Sequence, residues 1–331
     1  MTTVLALVTG ANGFVGCHVV RALLQSGRTV RGLVRASADL RALEGLDCEK
    51  VQGDLRDAEA VTAAMRGVEE VYHVAADYRL WVPDPAPMYA ANVEGTRNVI
   101  AAARRHRVRR IVYTSTVGAL GIPQAGPGTE QTPVSLDAMV GHYKRSKFLA
   151  EKLALKAATE GAPVVVVNPS TPVGEFDYKP TPTGRVIVDF ANGRMPAYLD
   201  TGLNLVDVRD VAAGHRLAAE KGVPGEKYIL GGENLPLREV LAKLAAICNR
   251  PAPWLKLPYP AALGFAALAE AAARWITHRP PRASLTEVRM ARKRMFFDST
   301  RARTLLGYAP GPIEPALERA VAFFRQLGLI R

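Results

Sequence analysis

The sequence predicts an α/β fold: a doubly wound parallel sheet followed by a smaller, mainly helical second domain. Three observations carry this. Short apolar runs alternate with amphipathic stretches from the N-terminus to Pro169. The first run ends in a glycine-rich turn that opens directly into a helical pattern. After Pro169 the alternation gives way to a Pro- and Gly-rich loop and then mostly to helix.

The elements follow in order. "TVLALVTG" is a short apolar strand closed by glycine, "FVGCHVVRALLQSG" has helical spacing, and "TVRGLVR" is a second strand, so the chain starts with a βαβ unit. "CEKVQGDL" is a strand ending near Asp54, "AEAVTAAMRGV" a helix and "EEVYHVAA" a strand. "YAANVEGTRNVIAAARRHRV" reads as one long amphipathic helix, "RRIVYTST" as a strand, "YKRSKFLAEKLALKAATEG" as a helix and "PVVVVNPS" as a buried strand. Strands separated by helices of this length pair in parallel. Residues 1–170 are therefore expected to form the first domain. "LNLVDVRDVAAGHRLAAEKG" and "EKYILGG" are expected to return to its sheet near 203–232, leaving 171–202 and 233–331 to the second domain.

Composition narrows the function classes. The chain has 331 residues, 48% hydrophobic and 22% charged, an ordinary globular mix. Cys17, Cys48 and Cys248 are far apart and odd in number, which suits buried thiols in a reducing compartment and hence a cytoplasmic location. The start lacks the basic region of a signal peptide, and the most apolar stretch, Tyr259 to Ile276, is interrupted by Glu270 and Arg274. Lys and Arg number 43 against 31 Asp and Glu, a net charge of +12. No nucleic-acid-binding motif with interleaved aromatics accompanies this excess, so a basic solvated surface, with no nucleic-acid partner, is the reading taken.

"VTGANGFVG" places Gly10, Gly13 and Gly16 between the first strand and the first helix. Gly10 allows a tight turn, Gly13 lets a pyrophosphate approach the backbone, and Gly16 lets the helix pack on the strand. Asn12, Phe14 and Val15 complete this cradle of a Rossmann-type domain. The end of the second strand selects the cofactor. An acidic residue there would hold a ribose 2′-OH, but the sequence reads "GLVRASADL", with Arg35 and Ser37 and no carboxylate before Asp39. A guanidinium pairs with a 2′-phosphate, so NADP(H) is expected over NAD(H). Arg35 as a plain solvated arginine is the alternative. Asp54 of "GDL" has two readings, an acceptor for the adenine amino group or the N-cap of the next helix.

"YKRSK" sets Tyr143 and Lys147 four residues apart, on one face of a helix. An ammonium beside a phenol favours the phenolate, which would lower the Tyr143 pKa from its usual value of about 10. The preceding strand ends in hydroxyls, and Ser115 or Thr116 is placed to hydrogen-bond a substrate carbonyl beside Tyr143.

"TGANGFVG", "GDL", "HVAA", "NVEGT", "TSTVGALG", "YKRSK" and "NPSTPVG" occur in the order of the extended short-chain dehydrogenase/reductases, which the chain resembles along essentially its whole length. The resemblance implies that Tyr143 transfers the proton, Lys147 binds the nicotinamide ribose, and Thr116 aligns the substrate oxygen. It also places Leu55, Ala75, Ala76 and Thr114 along the cofactor, Pro169, Thr171 and Val173 at the nicotinamide, and Asn92 as a support of an active-site helix. A homodimer is implied as well, through a helix bundle that includes the Tyr143 helix. "NPSTPVG", "KPTPTGR" and "YILGGENL" are more narrowly similar to the hopanoid-associated sugar epimerase group, itself similar to dihydroflavonol 4-reductases. The substrate implied is a small or lipid-linked, sugar-like molecule.

Four outcomes are distinguished. An epimerase keeps its cofactor, usually NAD, whereas a reductase exchanges it each turn; Arg35 favours the reductase. A 4,6-dehydratase needs acids where "STVGAL" has none. A non-catalytic NADP sensor would not need Thr116, Tyr143 and Lys147 together. Arg185, Arg194, Arg209 and Arg216 are candidates for a diphosphate clamp, with an ordinary basic surface as the preferred reading, and Asp207 stands where related enzymes often carry His. Trp254, Tyr259, Phe265 and Trp275 are read first as core or dimer interface. The sharper reading is a face peripheral to a membrane, beside the basic run from Arg289 to Phe297.

Overall fold

The computed structural model describes residues 4–277, 281 and 284–331. In chain order the elements are β1 (Leu5–Thr9), α1 (Phe14–Gln25), β2 (Thr29–Val34), β3 (Cys48–Gln52), α2 (Ala58–Ala64), β4 (Glu70–His73), α3 (Ala86–Tyr89), α4 (Gly95–Arg105), β5 (Arg110–Thr114), α5 (Gly141–Thr159) and β6 (Val164–Pro169). They continue as β7 (Thr171–Val173), α6 (Pro182–Ala191), β8 (Ala197–Tyr198), β9 (Gly202–Asp207), α7 (Val208–Lys221), β10 (Lys227–Leu230) and β11 (Glu233–Pro236). The last are α8 (Leu237–Cys248), β12 (Leu255–Lys256), α9 (Tyr259–Ala272), α10 (Leu285–Ala291), α11 (Thr300–Leu306) and α12 (Glu314–Gln326).

The central sheet has seven strands in the order β3-β2-β1-β4-β5-β6-β10, all parallel. Its order reverses between β1 and β4, which opens a crevice at their C-terminal ends. Parallel strands covered on both faces need continuous apolar runs, and Val164 to Val167 of β6 are fully buried. One face carries α1 and α7, with Val19, Leu23, Val211 and Ala218 in the core. The other carries α2, α4 and α5, with Val61, Val99, Ile100 and Ala154. Each such aliphatic side chain larger than alanine contributes roughly 1.5–3 kcal/mol on burial.

Two sequence expectations are corrected. The run from Tyr89 to Val108 is not one regular helix: a wide π turn over Ala90–Glu94 separates α3 from α4 and turns Asn92 inward. The segment 203–232 divides between two sheets. β10 joins the central sheet beside β6, whereas β9 pairs with β7 and β11 in a separate three-stranded sheet. The cause lies at Ser170, where the chain leaves the central sheet and β7 presents a new edge to β9. A third core, with Ile187, Leu241, Leu244, Leu317 and Phe324, joins this small sheet to α6, α8 and α12.

The segment 259–276 is not core. Ala262, Ala266 and Ala273 are its buried residues, while Phe265, Leu268, Trp275 and Ile276 stand exposed, as does Trp254. Helix α10 packs on α9 through Val288 and starts with a capping box between Ser284 and Glu287. Among the described residues, no helix is long and apolar enough to cross a membrane.

Candidate active site

The crevice between β1 and β4 is shaped first by glycine. Gly10 has φ +66°, and a Cβ on it would stand 2.7 Å from Ala75 Cα. A Cβ on Gly16 would stand 2.1 Å from the Gly10 carbonyl oxygen. Both contacts need a bare backbone. Gly13 is exposed and takes the N-cap position of α1 without a side-chain cap, and the first turn holds no acid. The free N–H groups and positive helix end suit a diphosphate. Asn12 Nδ2 donates to the Asp39 carbonyl at 3.1 Å, tying the turn to the loop after β2. Phe14 lines a narrow hollow with Pro172 and Val173, and Val15 packs into the core below.

Arg35 and Ser37 lie exposed just beyond β2, and Arg35 has no ion-pair partner among the described residues. Arg56 lowers the Asp54 carboxyl, Arg79 lowers the Asp77 carboxyl against the effect of its burial, and the charge of Arg35 adds a smaller lowering to both. Asp39 does not neutralise Arg35, because Arg41 holds it at 2.6 Å. Asp54 is not a helix cap: Asp57 accepts from the Glu59 and Ala60 amides and caps α2. Asp54 instead pairs with Arg56 at 2.7 Å, which holds its carboxyl at about 2. The Leu55 carbonyl accepts from Asn98 at 2.8 Å.

Beneath the crevice runs a buried polar chain. The Ala75 amide donates to Thr9 Oγ1, which meets His73 Nδ1 at 2.7 Å, and His73 Nε2 meets Thr96 Oγ1 at 3.0 Å. Burial pushes the His73 pKa down to about 3, so the ring is neutral. Asn92 accepts from the Asp77 amide at 2.7 Å and donates to Ser146 Oγ at 2.9 Å. Ser146 in turn donates to the Tyr143 carbonyl, so Asn92 ties the loop that holds Ala76 to the first turn of α5.

Tyr143 and Lys147 sit on successive turns of α5, and Thr116 lies just past the end of β5. Thr116 Oγ1 accepts from the Gly118 amide at 3.1 Å and faces the Tyr143 phenol. Ser115 is excluded from this role: its hydroxyl donates to buried Glu151 at 2.5 Å. Lys147 Nζ donates to the Thr114 carbonyl at 2.6 Å, and Thr114 Oγ1 meets His215 Nε2 at 2.8 Å. The expected lowering of the Tyr143 pKa is corrected. Burial pushes the phenol up to about 12, opposed by Thr116. Burial also pushes Lys147 down to about 7, and Glu151 works against that. In this arrangement Thr116, and not Lys147, is the group that opposes the rise of the phenol. Pro169 ends β6, and Thr171 and Val173 belong to β7 of the small sheet that follows it.

The arginine clamp does not assemble. Arg209 pairs with Glu175 at 2.7 Å, Arg216 with Glu220 at 2.8 Å and Arg194 with Asp189 at 3.7 Å. Arg185 alone of the four has no ion pair among the described residues. Asp207 caps α7 and pairs with Arg319, a structural task. Two residues near Tyr143 escaped the sequence reading. Tyr78, exposed beyond β4, bears on the Tyr143 phenol, and Lys144 is buried beside Thr116 and Gly118. No periodicity marks either.

A glycine cradle at the sheet's reversal point, with Tyr143 and Lys147 across it, agrees with the family comparison. Residues 6–231 match the model of the NAD dependent epimerase/dehydratase family. The chain belongs to that family. It is an enzyme of the extended short-chain dehydrogenase/reductase type, an oxidoreductase or epimerase. A Synechocystis protein, named only provisionally as a dihydroflavonol 4-reductase, is 43% identical over 98% of this chain and 95% of its own. Sterol demethylase protein B of Methylococcus capsulatus is 39% identical over 100% of both chains. The crystal structure of gox2253 has a TM-score of 0.88 and 46% identity, covering 99% of each chain.

Proposed function

We propose that this enzyme is an NADP(H)-dependent reductase of a carbonyl on a lipid-linked, sugar-like or polycyclic substrate. The observation that carries the cofactor choice is Arg35: exposed and unpaired among the described residues, with the next carboxylate, Asp39, held by Arg41. A 2′-phosphate would find a free guanidinium there, with the Ser37 hydroxyl close in sequence. The Gly10–Gly16 turn and the uncapped α1 terminus would hold the diphosphate. When bound, the cofactor supplies the hydride.

The chain's own groups handle the proton. Tyr143, neutral at physiological pH, holds a proton on Oη and delivers it to the substrate oxygen, which Thr116 orients. Lys147, when protonated, stabilises the phenolate left behind. The substrate class is supported by the full-length similarity to sterol demethylase protein B and by the exposed apolar face of α9. We propose that this face rests on an anionic membrane surface.

The test is calorimetric titration of the protein with NADPH and NADH, with mass spectrometry of any nucleotide that co-purifies. NADPH is expected to bind at least about tenfold tighter, and Arg35→Ala to remove most of that preference. Tightly retained NAD would overturn the reading in favour of an epimerase.

A further inference from the structure

Lys144 follows Tyr143 on α5 and is 8% exposed. Its stem lies over Gly118, where an added Cβ would stand 3.4 Å from Lys144 Cε. Thr116 Oγ1 stands 3.4 Å from that same point, so the Lys144 chain and the hydroxyl assigned to the substrate oxygen both flank Gly118. Among the described residues Lys144 Nζ finds no oxygen acceptor; its one polar neighbour is Met295 Sδ at 3.9 Å. A thioether is a weak acceptor and carries no charge to offset an ammonium.

The surroundings are cationic. Met295 lies between Arg294 and Phe296, and these two with Lys293, Ile122, Pro127 and Asn234 line an open cleft of about 550 Å³. Lys293 has no ion pair among the described residues, and its charge acts with burial to pull the Lys144 pKa down to about 8. Asp200, the acid that pairs with Arg294 at 3.3 Å, is also held by Lys256 at 2.7 Å. A buried, unpaired ammonium is costly, and methionine would fill the same space without the charge. The arrangement makes sense when an anion completes it.

We propose that Lys144 and Lys293 receive an anionic group, a carboxylate or a phosphate, carried by the substrate away from the carbonyl that Tyr143 serves. Both act in binding and specificity. The proposal rests on the reductase reading, in that it places this anion on the same molecule as the reacting carbonyl.

Binding to the NADP-saturated protein tests it, with 4-acetylbenzoate, 4-acetylphenyl phosphate and neutral 4-acetylbenzamide as probes in calorimetric titrations. At least one anionic probe is expected to bind about tenfold or more tighter than the amide, the strength of a charge-assisted hydrogen bond. Lys144→Met should remove that preference, and Lys293→Gln should reduce it, with amide binding preserved. The tighter of the two anions identifies the group. Equal affinity for all three probes, no binding of any, or a preference that survives both substitutions would overturn the proposal. Since Lys293 is exposed, its variant keeps the test valid if Lys144→Met does not fold. NADPH titration of each variant separates failure here from failure of the cofactor reading.

Discussion

At the scale of single residues, the chemistry divides between two groups that burial shifts in opposite directions. The Tyr143 phenol is pushed up to about 12 and the Lys147 amine down to about 7. Tyr143 therefore holds its proton throughout the physiological range, whereas the charge on Lys147 is lost as pH rises through about 7. A reductase that needs the ammonium to stabilise the phenolate left on Tyr143 should slow on that side. Reductive kcat/KM, followed by NADPH oxidation, is expected to fall as pH rises from about 6 to about 8.5, in the manner of a single deprotonation. Replacing Tyr143 by Phe should lower kcat by at least about a hundredfold while NADPH affinity stays within about twofold, since the hydroxyl serves the substrate. Near-normal turnover of Y143F would remove Tyr143 from the mechanism.

At the scale of elements, the π turn at Ala90–Glu94 matters more than its five residues suggest. It turns Asn92 inward, where one amide group joins the Asp77 backbone to Ser146 on α5. Asn92 is a positioning residue: it acts on Tyr143 through Ser146 and the first turn of α5. Asn92→Ala would leave buried backbone groups unpaired at about 1–3 kcal/mol. The expected result is a lower Tm and a fall in kcat of about tenfold or more, with KM for NADPH little changed and Asn92→Asp recovering part of kcat. A variant that loses Tm but keeps kcat would reduce Asn92 to a structural role. The sequence showed the strands and helices here because apolar periodicity records burial on a sheet or helix face. It could not show the π turn, because the wider turn shifts the phase of the apolar pattern by about one residue where Ala90, Ala91 and Gly95 leave little pattern to read. The site was legible to the same extent. Gly10, Gly13, Gly16, Tyr143 and Lys147 are tied to fixed backbone positions by local spacing. Ser115 and Thr116 could not be separated, because that choice depends on Glu151, 36 residues away from Ser115. Lys144 went unseen because its burial depends on Met295, 151 residues away.

At the scale of the whole molecule, one surface combines apolar and basic character. Trp254, Leu268, Trp275 and Ile276 are each more than 70% exposed, and Phe265 is 57% exposed. Arg274 stands over the Trp275 ring at 5.6 Å, and Arg289, Arg292, Lys293 and Arg294 are exposed on α10 and the loop after it, which packs alongside α9. Large aromatic side chains left in water beside a row of cations match the interface of an anionic bilayer, where rings enter the headgroup layer and arginines meet phosphates. The net charge of +12 adds a long-range attraction that salt screens. Co-sedimentation with vesicles of phosphatidylglycerol and phosphatidylcholine is therefore expected, and with phosphatidylcholine alone it should be weaker. Raising ionic strength to about 1 M should remove the electrostatic part and leave a residue due to the rings. Replacing Trp275 and Leu268 together by Ser should abolish that residue, at little cost to Tm because both side chains are exposed. A second copy of the chain is the competing occupant, and it predicts different behaviour: a concentration-dependent dimer in sedimentation, lost in the same double variant, with no vesicle binding. That outcome would move the α9 face from the membrane to a subunit interface.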